Sequence, residues 1–164
     1  MLSELDAAFH IANRMDEIIP GVFVGGIQAS TDYDLLHDNA ISYILNVSNF
    51  PLDTEVMNKY ESLNIQFAQV KMEDSPYFDL RKNILAAVST VRSAVNDNGR
   101  ILVHCMAGIS RSATVVAAYM IEYLGHSANS ALQEMSLKQP AVYPNSGFLT
   151  FLRNLEKSIV RDLK

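Results

Sequence analysis

Apolar residues change their period several times along this chain, and each change marks an element. From Leu80 to Val95 they fall three or four apart (Leu80, Ile84, Val88, Val91, Val95), on one face of a long helix that Asp97-Asn98-Gly99 ends. Ala113 to Leu124 is apolar nearly all round, as a buried central helix must be, and Gly125 terminates it. Two more stripes at helical spacing follow, Ala128-Ala131-Leu132-Met135 and Phe148-Phe151-Leu152-Leu155-Ile159, and a helix is also predicted near Tyr33 to Asn39. Strand character belongs to Val22-Phe23-Val24 between glycine turns, to Tyr43 through Val47, to the alternating Ile65 through Val70, and to Ile101-Leu102-Val103-His104. At the start, Leu2, Leu5, Phe9 and Ala12 recur at helical spacing and Ser3 with Asp6 resembles a capping box, so residues 1–15 are predicted to form an N-terminal docking helix.

Helices alternating with strands predict an α/β fold, a central and mostly parallel sheet flanked by helices, with any ligand site at the carboxyl ends of the strands. No linker, repeat or low-complexity tract interrupts the alternation, so residues 1–164 are read as a single domain. The 49% hydrophobic content suffices for a packed core. A net charge of −5 offers no global basis for binding nucleic acid or an anionic membrane. No apolar run approaches the roughly 20 residues that span a bilayer, and the start carries Glu4 and Asp6 where a signal peptide would carry cations. With one cysteine there is no internal disulfide, so a reducing compartment, cytoplasmic or nuclear, is expected. Four scattered histidines form no ligand cluster with that cysteine, and no metal or other cofactor is expected.

That one cysteine carries the chemistry. In His104-Cys105-Met106-Ala107-Gly108-Ile109-Ser110-Arg111-Ser112 it stands six residues before an arginine, at the turn from a strand into the apolar helix. A loop at a helix N-terminus attracts an anion through unpaired N–H groups and the positive end of the helix dipole. The same field, with a cation nearby, favours a thiolate over a thiol. The N–H groups from Met106 to Arg111 can form a nest around phosphoryl oxygens, Gly108 permits backbone angles that a side chain forbids, and Arg111 supplies a planar charged fork for two oxygens. Ser112 is placed to donate to the sulfur, and His104 to orient the loop through its ring N–H. Met106, Ile109 and Ser110 are read as floor residues with side chains turned from the phosphate. A departing alkoxide or phenoxide also needs a proton. The turn-like segment Met72 to Asp79 offers Glu73, Asp74 and Asp79; Asp79 reads best as a cap for the helix from Leu80, while Glu73 and Asp74 are equivalent on physical grounds.

The string His-Cys-x-Ala-Gly-x-Ser-Arg-Ser-Ala-Thr, from His104 to Thr114, closely resembles the signature of the dual-specificity branch of the cysteine-dependent protein tyrosine phosphatases. Ile18 to Gly25 looks like that family's opening strand motif, Ile44 to Val47 like its next strand, Ala118-Tyr119-Met120 like its central helix, and Pro144-Asn145-Ser146-Gly147-Phe148 like the turn into its last helix. The resemblance runs from about residue 17 to 155 and implies a protein tyrosine phosphatase-like α/β sandwich. It also implies Asp74 as the general acid, because the family's acid loop is followed by an Asp-Leu pair, here Asp79-Leu80. Asn145 then reads as a helix cap or a strut beneath the phosphate loop.

By this resemblance the chain is a phosphatase of phosphotyrosine and phosphoserine or phosphothreonine in proteins, working through a cysteinyl-phosphate. Absence of tryptophan rules out the Trp-Pro-Asp loop of the larger tyrosine-specific branch, which implies a shallower pocket; Tyr77 and Phe78 could wall it. Phosphorylated proteins are the expected partners, and a monomer or weak homodimer the expected state. The alternatives are a phosphatase of phosphoinositides, RNA 5′ ends or carbohydrates, against whose lipid form the neutral Met106 and Ile109 argue, and a phosphopeptide-binding pseudophosphatase, against which Cys105, Arg111 and Asp74 argue together.

Overall fold

Within the sheet, side chains of each strand divide between two cores. A computed structural model describes Asp6 and residues 13–162 of the chain. Its strands are β1 (Met15–Ile19), β2 (Val22–Gly25), β3 (Tyr43–Asn46), β4 (Gln66–Gln69) and β5 (Ile101–His104), in the spatial order β1-β2-β5-β3-β4. Among the described residues only the β1–β2 pair is antiparallel; β2, β5, β3 and β4 run parallel. Because successive side chains point to opposite faces, Val22, Val24, Leu45, Ile101 and Val103 enter one core, while Phe23, Ile44 and Leu102 enter the other.

The larger core lies under four helices, α4 (Arg81–Asn96), α5 (Arg111–Leu124), α6 (Ala128–Lys138) and α7 (Ser146–Asp162). Of these α5 is buried continuously from Arg111 to Ile121, as its unbroken apolar run predicts. It packs on β2 and β5 and against α4, α6 and α7, so no solvated face is left over its first three turns. The smaller core lies on the opposite face, where α2 (Tyr33–Asp38) contributes Leu36 and α3 (Thr54–Ser62) contributes Tyr60. The buried Tyr60 hydroxyl donates to Ser30 O at 2.6 Å, tying α3 to α1 (Ile27–Thr31), and burial raises its pKa to about 12.

The hydropathy pattern overlooks α1 and α3. Thr54 to Ser62 is mostly polar, buries only Tyr60, and starts on a cap, Asp53 accepting the N–H of Val56 at 2.9 Å. The stripe of Leu2, Leu5, Phe9 and Ala12 lies outside the described residues. Met15, assigned with that stripe to a docking helix, instead opens β1 and pairs with Gly25, because extended pairing at the sheet edge satisfies its backbone.

One consequence of the strand order decides the rest. β5 enters last yet sits between β2 and β3, with His104 level with Gly25 on one side and Asn46 on the other. Cys105 therefore emerges at the middle of the sheet's carboxyl edge.

Candidate active site

Residues 105–110 must turn the central strand into the buried helix, and they do so with their carbonyls engaged outward. Met106 O accepts the N–H of Ile27 at 2.9 Å, Ile109 O that of Tyr143 at 2.9 Å, and Ser110 O both the N–H and the hydroxyl of Thr114, at 2.9 and 2.7 Å. The N–H groups of Met106, Ala107, Ile109 and Ser110 donate to no acceptor among the described residues. A ring of free donors at the N-terminus of α5 is a cradle for an oxyanion. Gly108 has φ +72°, and a Cβ there would lie 2.6 Å from the Gly25 carbonyl carbon, so the loop closes on β2 only with glycine.

Cys105, 2% exposed, points its sulfur into this ring. Gly108 N–H donates to Sγ at 3.3 Å, and the Ser112 Oγ lies 3.3 Å from the same atom, within reach of donating its proton. The Arg111 side chain is buried beside them; its Nη1 donates to Met72 O at 3.2 Å, and its Nε has no hydrogen-bond acceptor among the described residues. The backbone of the acid-bearing segment thus holds the guanidinium in orientation while a donor remains for a bound oxygen.

His104 is fully buried, with Nδ1 3.3 Å from the Cys105 carbonyl oxygen. The contact requires the Nδ1–H tautomer, and it keeps that carbonyl turned away from the nest. Burial pushes the His104 pKa down to about 4, against the opposing effect of the bond to Cys105 O, so the ring is neutral near pH 7.

The segment 72–79 folds over the cradle from the end of β4. Asp74 Oδ2 lies 3.9 Å from Arg111 Nε, and Asp74 Oδ1 accepts the side-chain N–H of Asn145 at 2.9 Å. Asn145 is at once a cap, its Oδ1 accepting the N–H of Phe148 at 3.0 Å, and a strut, its own N–H donating to Ser110 Oγ at 3.1 Å. The other two carboxylates are placed elsewhere. Asp79 takes the Arg81 side chain at 2.9 and 2.8 Å and its backbone N–H at 3.2 Å, bonds that hold its pKa down to about 2, so it stays ionised and cannot carry a proton at neutral pH. Glu73 is exposed and makes no side-chain bond among the described residues. Phe78 packs on the main core, whereas Tyr77 is 95% exposed.

Two parts of the site escape sequence reasoning. The Met72 carbonyl that steers Arg111 is backbone, with no side-chain signal. Gly147 is the other: a Cβ there would lie 2.0 Å from Pro76 O, so the acid-bearing segment rests directly on the first turn of α7.

Residues 22–158 match the family model for the dual specificity phosphatase catalytic domain. The chain is 31% identical over 153 residues to dual specificity protein phosphatase 13B of Homo sapiens, covering 92% of this chain and 76% of that protein. It is 33% identical over 153 residues to dual specificity protein phosphatase 26 of Bos taurus, covering 93% and 72%. Among solved structures, a mouse putative dual specificity phosphatase complexed with zinc tungstate superposes with a TM-score of 0.81 at 29% identity, over 91% of this chain and 90% of that one. The sheet order, the nest around Cys105 and these likenesses lead to one family: the chain is a member of the dual specificity phosphatases, and thus a protein phosphatase.

Proposed function

We propose that Cys105, Arg111 and Asp74 carry a two-step hydrolysis of phosphotyrosine and phosphoserine or phosphothreonine side chains. In the first step Cys105 Sγ forms a bond to phosphorus as the P–O bond to the substrate breaks, and the proton of Asp74 goes to the departing oxygen. In the second, water attacks phosphorus and the S–P bond breaks. Asp74 takes a proton from the water, phosphate leaves, and the sulfur recovers its electron pair. Arg111 Nε and the nest amides face the charge spread over the equatorial oxygens. Ser112 donates to the sulfur as it leaves in the second step.

The observation that supports this reading is a convergence of distant segments: Asp74 Oδ2 lies 3.9 Å from Nε of Arg111, the residue that follows the loop in which Cys105 Sγ lies 3.3 Å from Ser112 Oγ. Tyr77 is proposed to contact the substrate residue from the rim. The enzyme needs its one thiol reduced, which fits a cytoplasmic or nuclear setting and a place in phosphate signalling.

Phosphotyrosyl and phosphothreonyl peptides assayed beside a soluble inositol phosphate, in the presence of a chelator, test the substrate class. Turnover of both peptides and little of the inositol phosphate is expected; the reverse preference would overturn it. Cys105→Ser should abolish turnover and still bind a phosphate analogue, because every other nest donor survives. Residual turnover near the wild-type level would remove Cys105 from the chemistry.

A further inference from the structure

We propose that the turn Asn145-Ser146-Gly147 is the positioning element for Asp74, with Asn145 choosing which carboxyl oxygen carries the proton and Gly147 setting how closely the acid-bearing segment approaches. The proposal rests on Asp74 being the proton donor and adds how that donor is aimed.

Two separate observations place the turn in this role. The first is a hydrogen bond. Asn145 Nδ2 donates to Asp74 Oδ1 at 2.9 Å. An oxygen already engaged by an amide N–H is the less available of the two to carry a transferable proton, so the proton that Asp74 donates is assigned to Oδ2. Oδ2 is the oxygen on the Arg111 side, 3.9 Å from Nε, where a leaving group bound in the cradle would lie. Without the Asn145 donor the two oxygens compete for the proton and the carboxyl can rotate. The second is a close approach: the backbone of Pro76 occupies the space in which any side chain at 147 would stand.

The turn is itself referenced to the cradle. Asn145 N–H donates to Ser110 Oγ, and Tyr143 N–H to Ile109 O, so the element that aims the acid is anchored to the loop that holds the phosphate. Asp74 and Cys105 are thereby set against a common frame, to which the Arg111 contacts with Met72 O and Asp74 also belong.

Asn145→Ser isolates the first contact. Serine keeps a capping oxygen for the Phe148 N–H and the backbone N–H to Ser110, and it removes only the donor to Asp74. Its kcat/KM on a phosphopeptide with a serine or threonine leaving group should fall roughly tenfold, a part of the 10²–10⁴ that a placed proton donor contributes. On an aryl phosphate with an acidic phenol the loss should stay below about twofold, since that phenoxide departs unaided. Gly147→Ala, which favours the helix itself, should give the same leaving-group signature by displacing Pro76. Neither change should add to the loss in an Asp74→Asn background, as expected for groups acting through one carboxylate. Equal losses on both substrates, or additive losses with Asp74→Asn, would overturn the proposal and leave the turn a structural brace. If Asp74→Asn itself shows no leaving-group dependence, the failure lies in the reading of Asp74 as acid, and this inference falls with it.

Discussion

The loop that holds the phosphate and the loop that supplies the proton are built in opposite ways. Residues 105–110 are a short connection between β5, buried throughout, and the buried first three turns of α5, tied through backbone carbonyls to α1, Tyr143 and α5. Segment 72–79 lies largely exposed, and Asp74 is held by a hydrogen bond from the Asn145 side chain, the seat at Gly147 and the Arg111 contacts to Met72 O and Asp74. The contrast matches the tasks. A nest of dipoles stabilises charge only while it stays fixed, whereas a proton donor must give way to an arriving side chain and a departing product.

Changes in the two loops should consequently leave different marks. Asp74→Asn is expected to cost about 10²–10⁴ in kcat/KM on serine and threonine phosphopeptides and almost nothing on an aryl phosphate with a good leaving group. A leaving-group series at fixed pH reads this directly, and a flat loss across the series would equate the two loops. Gly108→Ala should reduce turnover of every substrate by a similar factor, about 10²–10³, because the displaced amides serve the charge common to all of them. If its loss followed the leaving group instead, the nest and the acid would not be separable.

The smallest effect concerns stability. His104 is buried neutral with a pKa lowered to about 4, while in the unfolded chain it titrates near 6.5. Between those values the unfolded state binds the extra proton, so His104 subtracts stability as pH falls from 6.5 to 4, by on the order of 3 kcal/mol at the lower end. Asp79, held near 2 by Arg81, adds a further loss only below pH 4. Denaturant titrations of wild type and His104→Asn across pH 4–7 should show a shallower slope in the variant. Parallel curves would mean that His104 is solvated in the native state.

The same local versus distant distinction explains what could be read in advance. The cradle is contiguous: strand, loop and helix follow one another from Ile101 to Leu124, so periodicity and the spacing of Cys105 and Arg111 expose it. The helices α4, α6 and α7 announce themselves by buried stripes, whereas α3 does not, because a mostly polar helix anchored by Tyr60 and the Asp53 cap carries little apolar pattern. Separating Asp74 from Glu73 took a family resemblance, since their difference lies in a partner 71 positions along the chain, Asn145.

By itself, then, the sequence determined the alternation of strands and helices, the burial of α5 and the anion-binding turn that carries Cys105. Each of these depends on neighbours within a few residues, and periodicity and turn chemistry act at that range. The tertiary structure alone decided that β5 lies between β2 and β3, that Met72 O orients Arg111, and that Asn145 and Gly147 aim Asp74. Those contacts join segments far apart in the chain, and chain folding brings them together by packing two cores on one sheet, a global condition that no local pattern encodes.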